Sequence, residues 1–321
     1  MDIVACTDHG FVMPYGVLFK SICVNNSSNI NFHVIVDGTF TDDDKEDLES
    51  IISSNPNNKI IYYYVSQDIL DMLPTFPTGP SHVVSTTYLK LFFADILPKN
   101  LDKVLYLDGD MIVRKSLDDL WNTDISEVAV GYVVDQGYAQ IKWYNTLEYP
   151  SELAYFNTGM ILINLKYWRE HQAKERFLEF IREHPERIFI REQDVMSYTF
   201  REEKIELPLT YNFQCGFLYK RRLLQMDWFK YKDQIEKYKK DPCIIHYLTA
   251  DKPWFKGNNN PYRSEFYKYK SMTKWKNVPL RSSKPKREKV IDKLVEYARK
   301  CHILKPIPSS YDDDNLNPLN K

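Results

Sequence analysis

Nowhere in the chain do about 18 apolar residues run together, so no membrane-spanning helix is expected. The first residues, MDIVACTDHG, put no basic cluster ahead of an apolar core, and a secretory leader is not expected either. Cysteine is scarce and scattered: Cys6, Cys23, Cys215, Cys243 and Cys301 are five in number with no CxxC, which excludes a disulfide framework and a zinc knuckle and points to a reducing, cytoplasmic setting. No internal repeat is visible. Net charge is nearly absent at −1, yet unevenly spread, because residues 268–305 hold 13 Lys/Arg against 3 Asp/Glu. Within that stretch KREKVIDKLVEYARKCHIL sets Val290, Ile291, Leu294, Val295 and Ala298 at helical spacing with Lys and Arg on the other face. Such a helix lies on anionic lipid or docks on its own domain. No nucleic-acid recognition motif accompanies the charge, so no nucleic-acid partner is expected, and peripheral contact with the inner face of the cytoplasmic membrane is the economical reading.

What is present suits an enzyme. At 321 residues and 43% hydrophobic content the chain can bury one large core or a core plus an appendage. Tyr 23, Phe 17 and Trp 6 are high counts, and their rings serve both core packing and stacking on sugars or bases. Short apolar, β-branched runs, DIVAC, FHVIV, KIIYYYV, KVLYL, EVAVGYVV and TGMILIN, read as strands, and helical periodicity fills the early gaps. In TDDDKEDLESII, for instance, Leu48, Ile51 and Ile52 share one face behind an acidic first turn. Alternation of this kind predicts an α/β fold with a mostly parallel sheet flanked by helices, binding ligands beyond the strands' carboxyl ends. One catalytic domain over 1–270 is expected, then a basic amphipathic segment over 271–305, then a tail over 306–321 with too little apolar surface to order.

Acidic residues collect where the strands stop. DIVAC runs into Thr7, Asp8 and Phe11, EVAVGYVV into Asp135, and KVLYL into Asp108-Gly109-Asp110. Two carboxylates one residue apart, interrupting an apolar run, repel each other and call for a cation; hard oxygen ligands suit Mg²⁺ or Mn²⁺. Downstream the short run Cys243-Ile244-Ile245 delivers His246 where a strand could end; alone it reads first as a satisfied structural histidine, and as a ligand its imidazole would shift the preference toward Mn²⁺.

Taken in order, DIVACTDHGF, TTYLKLFFADILP, DKVLYLDGDMIV, YFNTGMILINLKYW, REQDVM and HYLTADKPW resemble glycosyltransferase family 8, from residue 1 to about residue 256. The resemblance implies a GT-A fold and transfer of galactose or glucose from a UDP-sugar, with retention, to an oligosaccharide or glycolipid such as lipopolysaccharide. It implies Mn²⁺, with Mg²⁺ as the alternative, on Asp108, Asp110 and His246. Asp8 and Phe11 match residues that read and stack on uracil, with Thr7 beside them and Gly10 where the family usually has Asn. Gly109, Lys90, Thr249 and Lys252 fall on the donor side. Lys90 stands where Arg is common, which keeps the charge and loses the bidentate fork, and Thr249 replaces a frequent glycine. Asn157 and Asp135 match contacts to hexose hydroxyls, and His82 an acceptor contact. Gln193 resembles the residue near the anomeric carbon, flanked by Glu192 and Asp194. An amide is a poor nucleophile, so front-face displacement is expected in place of the two-carboxylate covalent route of retaining glycosidases. The rival reading, a non-catalytic nucleotide-sugar or glycan binder, would not need the metal triad. Aspartyl phosphatases with a D-x-D motif are disfavoured, because theirs sits on the first strand and needs Thr or Val where this chain has Ile112.

Overall fold

The computed structural model describes residues 1–53, 55–72, 87–137, 145–150, 152–218, 228–248 and 252–282. Its centre is a seven-stranded sheet in the order β3-β2-β1-β4-β7-β6-β8. The strands are β1 Asp2–Thr7, β2 Asn31–Val36, β3 Lys59–Tyr64, β4 Lys103–Leu107, β6 Val130–Val134, β7 Phe156–Asn164 and β8 Lys204–Glu206. Neighbours pair in parallel except along β7, which runs antiparallel to both β4 and β6. The expected mixed, mostly parallel α/β sheet is therefore present, with a strand at every run read from the sequence.

Period-2 alternation sorts the side chains. Ile3, Ala5, Val34 and Leu105 enter the core shared with helix α1 (Val12–Asn25) and helix α2 (Asp42–Ile52). Val4, Cys6, Ile35 and Tyr106 enter the core shared with Trp168, Phe177 and Phe200 on the opposite face. α2 begins as its sequence demands: Thr41 and Asp44 form a reciprocal capping box, and Asp42, Asp43 and Asp44 lie in the first turn, where the helix dipole favours carboxylates.

Two features position the site. First, the chain leaves β1 through α1 toward β2 on one side, while β4 lies on the other side of β1, so a crevice opens at the carboxyl ends of β1 and β4. Second, β4 ends at Leu107 and β5 (Met111–Val113) leaves the main sheet to join a three-stranded one, β5-β10-β9, with β10 at Ile244–His246 and β9 at Phe213–Gln214. Asp108-Gly109-Asp110 is the junction between the two sheets. β10 pairs antiparallel with β5, and the register sets His246 opposite Met111, so the histidine arrives beside Asp110 although the two are remote in sequence.

The expected boundary at residue 270 falls inside packed structure. Trp275 is buried against α1 at Gly16, where an added Cβ would sit 2.2 Å from a ring carbon of the tryptophan. Lys270 spends its ammonium on the carbonyls of Trp275 (2.6 Å) and Val278 (2.7 Å), and Arg281 pairs its backbone with Trp254 and donates to the Gly10 carbonyl at 2.8 Å. Residues 270–281 thus pack on α1 and the Gly10 turn, through one buried indole in a lysine-rich sequence. Trp275→Ala should lower stability by about 3–5 kcal/mol, the usual cost of emptying a large aromatic site. The test is a urea titration, in which the midpoint should fall at unchanged slope. The rest of the expected amphipathic segment and the tail lie outside the described residues. Among those described, no helix is long and apolar enough to cross a membrane.

Candidate active site

The crevice is a cavity of about 220 Å³ lined by Cys6, Asp8, Phe11, Tyr15, Thr87, Tyr106, Asp108, Gly109, Asp110 and Lys252. At one end β1 gives way to a turn in which the Asp8 carboxylate accepts from the Phe11 amide at 2.9 Å. This holds the Phe11 ring 40% exposed over the cavity and edge-on to Trp254, 5.8 Å away between centroids. Thr7 is buried and donates to the Asp8 carbonyl at 3.1 Å, fixing the same turn from behind. Gly109 is required by space, since a Cβ there would lie 2.8 Å from the Tyr15 ring.

One ligand atom each from Asp108, Asp110 and His246 lie within 4.8 Å of one another. The chemistry around them fits a cation. Nε2 of His246 is buried with no hydrogen-bond partner among the described residues, 3.2 Å from Asp110 Oδ1, while its Nδ1 meets the Asn212 side-chain oxygen at 2.9 Å. A buried ring nitrogen left without a proton donor is the pattern of a metal ligand whose other nitrogen is spoken for. Gly159 on β7 keeps the space open: a Cβ there would fall 2.4 Å from His246 Cε1 and 2.8 Å from Asp108 Oδ2. Asp108 is further pinned by the Tyr106 hydroxyl, 2.5 Å from Oδ1, and by its amide on the Gly159 carbonyl at 2.8 Å.

Two ammonium groups balance the carboxylates. Lys252 pairs with Asp110 Oδ2. Burial would raise the pKa of Asp110, but the Lys252 ammonium, with the His246 ring beside it, outweighs burial and holds the carboxyl well below the usual range. Lys90, 3% exposed, reaches Glu192 at 3.1 Å and Asp108 at 3.2 Å with Tyr106 beneath it. Burial works to neutralise this lysine, and the two carboxylates overcome it, so its pKa lies above the ordinary lysine value. The Lys90 point charge is therefore spent on two carboxylates.

Beyond the cation position lie Asp135, Asn157 and Gln193. Asn157 Nδ2 donates to Asp135 Oδ2 at 3.0 Å and Gln193 Nε2 to the same oxygen at 3.3 Å, while Gln193 Oε1 accepts from the Thr158 amide at 3.1 Å. Gln193 rides the helix Arg191–Thr199, whose first residue has a left-handed φ of 50°. Asp194 has partners of its own. It is 1% exposed and accepts from the Tyr155 hydroxyl at 2.7 Å and the Phe189 and Ile190 amides, so it ties down the start of the helix. Burial raises the pKa of Glu192, which stays within reach of Lys90. His82 and Thr249 lie outside the described residues. Asn212, Gly159 and Tyr106 were not assigned roles from the sequence; Gly159 alone left a signal there, as a glycine within an otherwise apolar strand run.

A mostly parallel sheet with an acidic pair at a strand end, completed by a histidine from a second small sheet, defines a GT-A-type glycosyltransferase. The chain belongs to glycosyl transferase family 8, whose sequence model matches residues 2–257. The galactosyltransferase LgtC, solved with donor and acceptor sugar analogs, superposes with a TM-score of 0.75 over 90% of this chain and 99% of that one, at 24% identity. Lipopolysaccharide glucosyltransferase WaaO of Escherichia coli (strain K12) is 28% identical over 290 residues, covering 87% of this chain and 80% of WaaO. General stress protein A of Bacillus subtilis (strain 168) is 26% identical over 286 residues, covering 87% of this chain and 96% of that protein.

Proposed function

We propose that this glycosyltransferase moves galactose or glucose from a UDP-sugar to an oligosaccharide or glycolipid acceptor, with retention of configuration and with Mn²⁺, or Mg²⁺ in its place. The observation that carries this is the unpartnered, buried His246 Nε2 turned onto Asp110 beside an open crevice. A cation held by Asp108, Asp110 and His246 would supply positive charge to the diphosphate as its bond to the sugar breaks.

The chain's own residues do the rest. Phe11 offers a ring face to the uracil and Asp8 a carboxylate to its imide N–H. Lys252 stands at the acidic pair, where a diphosphate oxygen competes with Asp110 for its ammonium. Asp135 and Asn157 hold the hexose through its hydroxyls. Gln193 has its carbonyl oxygen fixed by the Thr158 N–H, so its dipole stabilises positive charge at the anomeric carbon without forming a bond. Glu192 is bound to Lys90, Asp194 is held by Tyr155 and two backbone amides, and Asp135 accepts from Asn157 and Gln193, so these carboxylates around Gln193 are already engaged among the described residues, which supports front-face displacement. The acceptor hydroxyl then passes its proton to the departing diphosphate oxygen. His82 remains the proposed acceptor contact and Thr249 a proposed donor-side neighbour. The basic segment beyond residue 282 is proposed to rest on the membrane surface where a glycolipid acceptor would lie.

The test is release of UDP from UDP-galactose and UDP-glucose with and without Mn²⁺. Release with one donor, abolished by chelation, is expected. No release from either donor in the presence of candidate oligosaccharide acceptors would favour a binding module.

A further inference from the structure

Asn212 is fully buried, at the end of a short 3₁₀ turn (Leu209–Asn212) that leads into β9, and both ends of its side chain are engaged. Its oxygen accepts from His246 Nδ1 at 2.9 Å, and its amino group donates to Asn157 Oδ1, also at 2.9 Å. It is the one described side chain bonded both to the proposed cation ligands and to the proposed hexose contacts. Resting on that functional reading, we infer that Asn212 is a positioning residue that sets two orientations at once: the tautomer of His246 and the amide direction of Asn157.

Each orientation has a competitor that Asn212 defeats. Asp110 Oδ1 sits 3.2 Å from His246 Nε2 and would draw the imidazole proton to that nitrogen, which would remove the lone pair a cation needs. An acceptor held on Nδ1 keeps the proton on the far side of the ring. At the other end, the Asn157 amide could present either its oxygen or its NH₂ to Asp135. Two donors fix the choice: the Asn212 amino group at 2.9 Å and the Gly159 N–H at 3.0 Å both point at Asn157 Oδ1. NH₂ is then left for Asp135 Oδ2 at 3.0 Å and Gln193 Oε1 at 3.3 Å. Orientation thus passes from the imidazole through two asparagines to the glutamine, with every link buried and made in one sense only.

Asn212→Leu and Asn212→Asp separate the two tasks. The leucine variant removes both bonds; the aspartate keeps an acceptor on His246 Nδ1 and loses the donor to Asn157. For metal-free wild type, long-range ¹⁵N–¹H spectra should show His246 as the Nδ1–H tautomer. In the leucine variant the proton should move to Nε2, and Mn²⁺ affinity, read by electron paramagnetic resonance without donor, should fall about 10- to 100-fold. The aspartate variant should hold Mn²⁺ to within about threefold of wild type by the same readout, since its acceptor still fixes the tautomer. Its KM for the sugar donor should rise at least about tenfold through a misdirected Asn157. An Nε2–H tautomer in the wild type overturns the inference, and that measurement needs no variant to fold. Equal loss of Mn²⁺ affinity in both variants, or wild-type affinity in the leucine variant, also overturns it. If wild type binds no Mn²⁺ while the tautomer is as expected, the functional reading fails and the placement of the proton by Asn212 stands.

Discussion

Asp110→Asn is expected to lower kcat for hexosyl transfer by on the order of a thousandfold, the largest effect of any single conservative change in this site. Asp110 serves both sides of the charge balance, with Oδ1 toward His246 and Oδ2 toward Lys252. Asparagine keeps the volume and removes the charge, so a cation would be left with one carboxylate and one imidazole, and Lys252 would face an amide. Removing one member of a buried ionic cluster also costs stability, often about 3–5 kcal/mol, and an inactive variant could simply be unfolded. Mn²⁺ titration of the melting temperature separates the two, because a ligand that binds only the native state raises Tm with concentration. Wild type should show the rise, and folded Asp110→Asn should not. A variant with turnover within tenfold of wild type and an unchanged Mn²⁺ shift would remove Asp110 from the cation site.

How much of this was legible beforehand depends on whether the deciding interaction is local. The strands were readable because β-branched runs of four to eight residues bounded by turn residues have few other solutions, and α2 was readable because its capping box and acidic first turn lie within a few residues of each other. The acidic pair was legible locally, as two carboxylates that break an apolar run, while His246 joined it only through resemblance to a family. What brings His246 to Asp110 is the register of β10 on β5, a non-local pairing that no periodicity encodes. Asn212 was invisible for the same reason, since its importance lies in what faces it from two other strands. Past residue 270, composition and packing point different ways. Lysine-rich composition suggested a separate appendage, while Trp275 and the buried Lys270 stitch that stretch onto α1 and the Gly10 turn.

The Lys90 cluster shows why a match of motif does not carry over a match of role. With a bidentate guanidinium, a residue at this position could hold a carboxylate and still present donors to a sugar. The Lys90 ammonium has three protons, and Glu192, Asp108 and the Thr158 carbonyl at 3.4 Å stand where they point. On the proposed donor reading, orientation of the hexose would fall more heavily on Asp135, Asn157 and Gln193, which are bonded to one another.

Gly159→Ala should weaken cation binding strongly, and transfer with it, through one methyl group. The added carbon would lie 2.4 Å from His246 Cε1 and 2.8 Å from Asp108 Oδ2, both closer than real Cβ contacts allow, and a tight 3.0 Å from Asn157 Oδ1. β7 cannot retreat, because its register with β4 sets Met160 against Leu107 and the Gly159 carbonyl takes the Asp108 amide at 2.8 Å. Nor can the imidazole retreat without leaving Asn212. The cheapest relief is rotation of His246 or Asp108 out of the triad, which empties the coordination shell while the core stays packed. Mn²⁺ affinity and kcat should each fall at least about a hundredfold, with Tm lowered only modestly because overpacking of this size costs about 1–3 kcal/mol. Gly38→Ala is the control: a Cβ there meets nothing within 4 Å, so Mn²⁺ affinity and turnover should be unchanged. Full Mn²⁺ affinity in Gly159→Ala would mean that the cation does not sit where β7, β4 and β10 converge.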